Sequence, residues 1–435
     1  MTDTTTLSHT PDPGTFRFLH TSDWQLGMDR WFLGEEASPR YREARLRVIE
    51  TLLEIAHERQ CAAVVVAGDV FDDNLVDRVT WSRAVDILRR SPVPVFLLPG
   101  NHDPYDAASV YRSSEFQSLA PTVQVLSDST PRRVAGEQGT EADIVGAPLL
   151  SKYMSVDPVA TALAELRAAD ARDIEDAEDA EDAADAADAA DAADTARAAV
   201  RVVVGHGATS SRESGADPSI IDVDGAAQAC SDGVVDVVAL GDTHSVVNLH
   251  PFGTVWYSGS PEVTDFREQH GGGEHRSGYV LITDVTPAES GSSSVEVEEV
   301  ATGQWRFLAL EAEITGPDDL DAWLDSLEEL PDKRTTVVKY ALSGTVDLAT
   351  SARLDEEMER LVPSFAALYP RERLMDLHVV PGDEELAAAD WPGVIGVAAA
   401  ELSEAAGEGD SASRDALRLL YRLSPASAVT TGQGE

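Results

Sequence analysis

The chain has 435 residues, 43% of them hydrophobic, enough to bury a full core and long enough that two domains are the default. Asp and Glu number 78 against 33 Lys and Arg, for a formal net charge of -45. An acidic surface keeps a protein soluble and repels polyanions at long range. This balance excludes nucleic-acid binding through bulk positive charge, so any such binding must use a local arginine patch, bound cations or a partner.

The first residues, 1–15, read as a loose polar leader without the apolar stretch of a signal peptide. No run approaches the ~18 apolar residues that span a membrane, so the expectation is a cytoplasmic protein with no membrane contact. From Phe16 the pattern is strand, turn, helix, repeated. Phe16 to His20 leads into Asp23, and a helix is predicted at about Arg40 to Arg59. Its buried face is Leu46, Ile49, Leu52, Leu53 and Ala56, at helical spacing. Ala62 to Ala67 is a continuous apolar run, as expected of a strand covered on both faces. Trp81, Ala84, Val85 and Leu88 mark a second helix. Further strands are predicted at Val93 to Leu98, Val123 to Leu126, Asp143 to Val145, Arg201 to Val204, Val234 to Leu240, Thr254 to Tyr257 and Tyr279 to Thr283.

Residues 165–197 form an acidic Ala/Asp tract of low complexity. Its three-residue step does not match the 3.6-residue helical period, so it is expected to wind its acids all round, bury no face and carry no chemistry. The domain expectation is a catalytic domain over 16–300 that contains this insertion. It is followed by a small α+β domain over 301–383, with a β-α-β-α-β pattern, and an Ala-rich helical or loose region over 384–435. Neither Cys61 nor Cys230 has a CxxC partner, which argues against a zinc-thiolate site and gives no sign of an oxidising compartment.

Five segments carry chemistry: Asp23-Trp24-Gln25, the GDVFD run at Gly68 to Asp72, the GNHD run at Gly100 to Asp103, Gly205-His206, and the GDTH run at Gly241 to His244. Each follows a strand-like run, where ligands collect in open α/β sheets. A single GD or GH pair is more often a turn than a ligand; the ordered set is far more specific. Asp23 and Gln25 are two apart on a turn and can meet one ion. The two oxygens of Asp69 can each serve a different cation. Asn101, His206, Asp242 and His244 complete a mixed nitrogen and oxygen set. Such a set suits two divalent ions, with Mn²⁺ favoured for its oxygen richness and Mg²⁺, Fe or Zn²⁺ as alternatives. Two metals about 3.5–4 Å apart can activate water and neutralise a phosphoryl group at once, which points to phosphate-ester hydrolysis. His102 is left free for general acid work, with Asp103 or another carboxylate to fix its tautomer. Asp72 and His20 are read as supporting residues behind the ligands.

These residues resemble the calcineurin-like metallophosphoesterase superfamily, and within it the SbcD-type DNA-repair exonucleases. The resemblance rests on HTSDWQLG from His20, then GDVFD, LLPGNHDP, GH, LGDTH and YSGSP in that order, over about residues 16–285. It implies a two-sheet β-sandwich flanked by helices, with a smaller C-terminal α+β domain in the position of a DNA-capping domain. It also implies one metal on Asp23, Gln25, Asp69 and His244, and the other on Asp69, Asn101, His206 and Asp242. His102 would stabilise the transition state or protonate the leaving oxygen. In such enzymes a metal-activated hydroxide attacks phosphorus and a nucleotide 5′-monophosphate is released. The family partner is an SbcC-type coiled-coil ATPase, and the nuclease chain usually forms a homodimer. Two positions depart from the pattern: Gln25 stands where Asp-x-His has its His, and Asp242 replaces the first His of Gly-His-x-His. The other reading is a phosphoesterase for small substrates, a cyclic nucleotide or a phosphomonoester, which the acidic surface favours. A third is a metal-binding scaffold without catalysis.

Overall fold

The computed structural model describes residues 10–136, 139–152, 154–181, 200–210, 217–268, 273–288, 292–380 and 393–407, with scattered positions to 420. The chain divides into two units: Met1–Arg267 with Gly272–Arg306, and Glu268–Gly271 with Phe307–Glu435. Among the described residues no helix is long and apolar enough to cross a membrane.

The first unit is built on two six-stranded sheets. One runs in the order β12 (Ser294–Ala301), β11 (Tyr279–Thr286), β1 (Phe16–Thr21), β2 (Ala63–Val66), β3 (Val95–Leu97), β4 (Val123–Val125). Its β1 to β4 are parallel neighbours, and β11 and β12 are antiparallel additions. The other runs β5 (Arg132–Ala135), β6 (Glu141–Ala147), β7 (Val200–His206), β8 (Val237–Gly241), β10 (Val255–Tyr257), β9 (Val247–Asn248). Both sheets are mixed, with antiparallel pairing at the edges β5 and β9 of the second.

Strand alternation explains how the layers stack. Side chains of a strand point alternately to opposite faces. Ala63 and Val65 of β2 face the second sheet and pack with Phe16, Phe18, Ile144, Val202 and Val204. Val64 and Val66 face the other way, onto helices α1 (Gly34–Glu58) and α2 (Arg78–Leu88), among Ile49, Leu52, Leu53 and Leu88. The second sheet repeats the device. Val203 of β7 faces away from Val202 and Val204 and packs on α4 (Pro158–Glu181) and α5 (Val223–Ser231). A short α3 (Ser114–Gln117) precedes β4 and is capped by the Ser113 hydroxyl. The result is a sandwich of two sheets with helices on both outer faces, and a run such as AVVV is apolar throughout because both its faces are covered.

The acidic tract is a correction. Its beginning lies in α4, whose Val159, Ala162, Leu163 and Leu166 are buried against β6, β7 and α5 at helical spacing. Asp170 forms a two-pronged ion pair with Arg201 of β7 at 2.7 Å. The tract therefore docks where it starts, through the buried Leu166 and the Asp170 ion pair, and residues 182–197 lie outside the described residues. Deleting Glu165 to Arg197 is expected to destabilise the fold, since removing a buried Leu such as Leu166 alone costs about 2–5 kcal/mol. Denaturant unfolding of the deletion against the full chain checks this; an unmoved midpoint would show that α4 ends functionally before Leu166.

The second unit has a sheet ordered β13 (Arg306–Ile314), β14 (Thr336–Val346), β15 (Ala367–Pro370), with β16 (Asp376–Val379) pairing a different stretch of β14. Helices α6 (Pro317–Glu328) and α7 (Leu348–Leu361) bury Leu320, Trp323, Leu327, Leu354 and Met358 against Val338 and Leu342. A last helix, α8 (Gly393–Gly407), lies in the Ala-rich region.

Candidate metal centre

The site forms where the carboxyl ends of β1, β2, β3, β7 and β8 reach the edge of the sandwich. Asp23 follows β1, Asp69 follows β2, Asn101 and His102 follow β3, His206 ends β7, and Asp242 and His244 follow β8. Two glycines show how tightly these turns meet. A Cβ on Gly100 would lie 2.1 Å from Asp69 Oδ1, and one on Gly241 would lie 1.9 Å from the Ala67 carbonyl oxygen. A side chain at either position would push a ligand or a whole strand end aside.

The backbone is strained where the candidate ligands sit. Asp23, Gln25, Asp69 and Asp242 have φ of +52°, +43°, +53° and +108°. Such conformations cost on the order of 1–3 kcal/mol each and persist only when surroundings enforce them. Hydrogen bonds do so here. Asp23 N donates to the Gly68 carbonyl at 3.0 Å and Gln25 N to that of Asp69 at 2.8 Å. The buried Arg45 guanidinium holds the Trp24 carbonyl at 2.5 Å and the Asp23 carbonyl at 3.3 Å. Ser260 Oγ donates to the same Asp23 carbonyl at 2.7 Å, and Ser22 Oγ to Asp23 Oδ2 at 2.5 Å.

Asp23, Asp69 and His206 are buried and bring one ligand atom each within 4.8 Å of one another. His206 donates Nδ1–H to the Ala67 carbonyl at 2.8 Å, which leaves Nε2 facing the site. Nε2 lies 2.9 Å from Asn101 Oδ1, 3.4 Å from Asp69 Oδ1 and 3.8 Å from Asp242 Oδ1. A neutral imidazole nitrogen and three oxygens with no proton between them repel unless something positive joins them. A proton on His206 does so: burial opposes it, but Asp69 and then Asp23 and Asp242 hold the ring well above its ordinary pKa. Turning the Asn101 amide over does so too, since its nitrogen would then reach Asp69 and His206 at 2.9–3.2 Å. A cation does so with every side chain where it stands.

The other half of the cluster has the same character. His244 Nε2 lies 3.1 Å from Gln25 Nε2 and 3.9 Å from Asp23 Oδ1. Asp23 Oδ1 and Gln25 Oε1 are buried with no hydrogen-bond partner. Unpartnered buried oxygens are rare and costly, and burial drives the Asp23 carboxyl above its usual range. Asp69 shows the balance: burial pushes it up, yet His206 and the His102 backbone N–H bring it below the ordinary carboxylate value. Orphaned oxygens, converging acceptors and carboxylates at one point fit divalent cations, with Asp23, Gln25, Asp69, Asn101, His206, Asp242 and His244 as the residues that would hold them.

His102 stands at the exposed rim. Its backbone N–H donates to Asp69 Oδ1 at 2.9 Å, and its ring Nδ1–H donates to the Asp72 carbonyl at 2.9 Å. The supporting role expected of Asp72 is thus carried by its backbone, with its carboxylate 3.9 Å away. Asp103 does not fill the catalytic role expected of it. It is fully buried, accepts from Gly100 N at 2.8 Å and Phe71 N at 3.0 Å, and takes the Tyr111 hydroxyl. Burial and then the Asp69 charge push it up to about 6. It pins the GNHD turn to the GDVFD turn and does not reach the His102 ring. His20 donates Nε2–H to the Leu240 carbonyl at 3.1 Å, tying β1 to β8, and burial lowers its pKa to about 3, so the ring is neutral.

Sequence reasoning missed Glu274 and Thr264. Glu274 Oε1 lies 2.6 Å from His244 Nδ1, and His244 and burial act on it in opposite senses: burial raises its pKa, but the imidazole takes it down to about 2. No motif announces it. The YSGSP segment, by contrast, was visible as a turn, and its Ser258 and Ser260 do support Ser22 and Asp23.

A family model described as calcineurin-like phosphoesterase matches residues 16–246. The SbcD component of the nuclease SbcCD from Escherichia coli K12 is 31% identical over 133 residues, 30% of this chain and 31% of that protein. Its counterpart from Bacillus subtilis is 32% identical over 100 residues, 21% of this chain and 23% of that protein. The aligned stretch thus spans under a third of these relatives. Among solved structures, a dimetal phosphatase from Danio rerio matches at TM-score 0.35 and 11% identity, covering 67% of this chain and all of that one.

Proposed function

The chain belongs to the calcineurin-like phosphoesterase family, and from that premise we propose that its centre hydrolyses phosphodiester bonds of DNA as an SbcD-like exonuclease that releases nucleotide 5′-monophosphates. The observation that carries the reading is the cluster of Asp23, Asp69 and His206 at one set of strand ends, joined by Asn101 and Asp242 beside His206 and by Gln25 and His244 beside Asp23, with buried oxygens of Asp23 and Gln25 left unpartnered. The nuclease reading draws on the similarity to the SbcD components of two SbcCD nucleases and on a second α+β unit after the catalytic one. We place the protein in the cytoplasm, with Mn²⁺ as its preferred metal, an SbcC-type ATPase as partner, a homodimer as its own assembly and DNA repair as its role.

A pair of divalent cations held there supplies Lewis acidity, lowering the pKa of water and neutralising charge on phosphoryl oxygens. The chain's own residues do the rest. Asp23, Asp69 and Asp242 would supply the negative charge that holds the cations. Asn101 and Gln25 add neutral oxygens. His206, tied through Nδ1 to Ala67, presents Nε2. His102, with Nδ1–H on the Asp72 carbonyl, keeps Nε2 free to carry a proton to the leaving 3′ oxygen as the bond to phosphorus breaks.

The net charge of -45 makes the substrate class the point to test. Purified protein is incubated with Mn²⁺, Mg²⁺ or Zn²⁺ and with linear duplex DNA, single-stranded DNA or a small chromogenic phosphodiester. The expected result is Mn²⁺-dependent release of 5′-mononucleotides from linear duplex. Turnover of the small diester without DNA cleavage selects the small-substrate phosphoesterase. Metal binding with no hydrolysis selects the scaffold.

A further inference from the structure

The two imidazoles of the centre are held differently. His206 gives Nδ1–H to a neutral backbone carbonyl. His244 places Nδ1 2.6 Å from the Glu274 carboxylate and 2.7 Å from Thr264 Oγ1, and the Thr264 hydroxyl donates to the same Glu274 oxygen. The second Glu274 oxygen accepts from Thr264 N at 3.2 Å and Asp265 N at 2.9 Å. The carboxylate is therefore fixed from both ends before it meets the ring, and its side chain is nine-tenths buried.

Each half of the centre also sets a carboxamide beside its imidazole. Asn101 lies 2.9 Å from His206 Nε2 in either sense of its amide. Gln25 turns its nitrogen toward His244 Nε2 at 3.1 Å and leaves its buried oxygen without a partner. Each half thus combines carboxylates with one carboxamide and one imidazole, and of the two imidazoles only that of the Gln25 half is backed by a carboxylate.

We propose that Glu274 is a positioning residue for His244. Held by Thr264 and the backbone, it fixes the His244 tautomer with Nε2 toward the centre. Its negative charge behind the ring makes Nε2 a stronger donor, as a carboxylate backing a ligating histidine does. The cation position at Asp23, Gln25 and His244 then depends on Glu274, whereas the position at Asn101, His206 and Asp242 does not. The inference rests on the metal-centre reading above.

The test is Mn²⁺ binding by calorimetry, with metal content per chain by mass spectrometry, on the full chain and on Glu274→Gln, Glu274→Ala, and each combined with Gln25→His. Unfolding in chelator reports the fold, and the isosteric Glu274→Gln serves if Glu274→Ala does not fold. The expected result is two classes of Mn²⁺ in the wild type, with one weakened ~10–100-fold in the Glu274 variants and the other unmoved. Gln25→His adds a second imidazole to the half that holds His244 and is expected to restore the weakened class. Unchanged binding in Glu274→Gln and Glu274→Ala overturns the inference. So does equal weakening of both classes, or a loss that Gln25→His leaves in place. A wild-type chain that binds no divalent cation overturns the metal centre itself, a result readily told apart from these.

Discussion

Asp69→Ala is expected to abolish hydrolysis and to strip cations from the protein. Asp69 stands between the two halves of the centre, with Oδ1 3.4 Å from His206 Nε2 and accepting the His102 N–H at 2.9 Å. Its burial beside Asp23 keeps two carboxylates together away from water, a placement that needs positive charge to offset it. Alanine removes the carboxylate proposed to bridge the two cations. It also leaves the His102 N–H without its acceptor and takes from His206 the partner that most raises its proton affinity. Metal analysis by mass spectrometry and the DNA assay read the result. A variant that keeps both ions and its turnover would take Asp69 out of the centre. The fold should survive in chelator, since the β2 strand that carries the turn is buried by Val64, Val65 and Val66 regardless.

The parts legible in the sequence are those where local pattern and tertiary role coincide. β2 reads as a strand because both its faces are covered, and α1 because its apolar stripe faces one layer. The ligand turns were legible because close approach demands glycine beside a polar residue, as at Gly100-Asn101 and Gly241-Asp242. β5 was missed because it is an edge strand with only Val134 buried, so there is little alternation to read. α5 was missed because it is only nine residues long and buries mostly small side chains, Ala226, Ala227, Ala229 and Cys230. The acidic tract misled because its three-residue step obscured an apolar spacing that begins before it, at Val159, Ala162 and Leu163, and runs into it at Leu166. Glu274 was illegible for a different reason. It lies 30 residues after His244, outside any motif, and acquires its role only when Thr264 and Asp265 bring it under the ring. Asp103 was misassigned because adjacency to His102 in sequence suggested contact. The turn instead sends the carboxylate inward to Gly100, Phe71 and Tyr111.

His102→Ala is expected to keep the fold and both cations while losing most turnover on DNA. The substitution is clean because the two bonds of this residue do different work. The backbone N–H that fixes Asp69 remains in alanine. Only the imidazole goes, and its partner is the Asp72 carbonyl at the exposed rim, where water can replace it. General acid help is typically worth ~10²–10⁴-fold, so a loss in that range is expected with the 3′ oxygen of deoxyribose as leaving group. That alkoxide is strongly basic and needs its proton in the transition state. A nitrophenolate leaves without one, so the loss on a nitrophenyl phosphodiester should be much smaller. Comparing the two substrates in the same variant, with metal content measured alongside, separates proton delivery from binding. Equal losses on both would assign His102 to holding the phosphoryl group, and a loss under about tenfold on DNA would leave it a surface residue that only packs against the Asp72 turn.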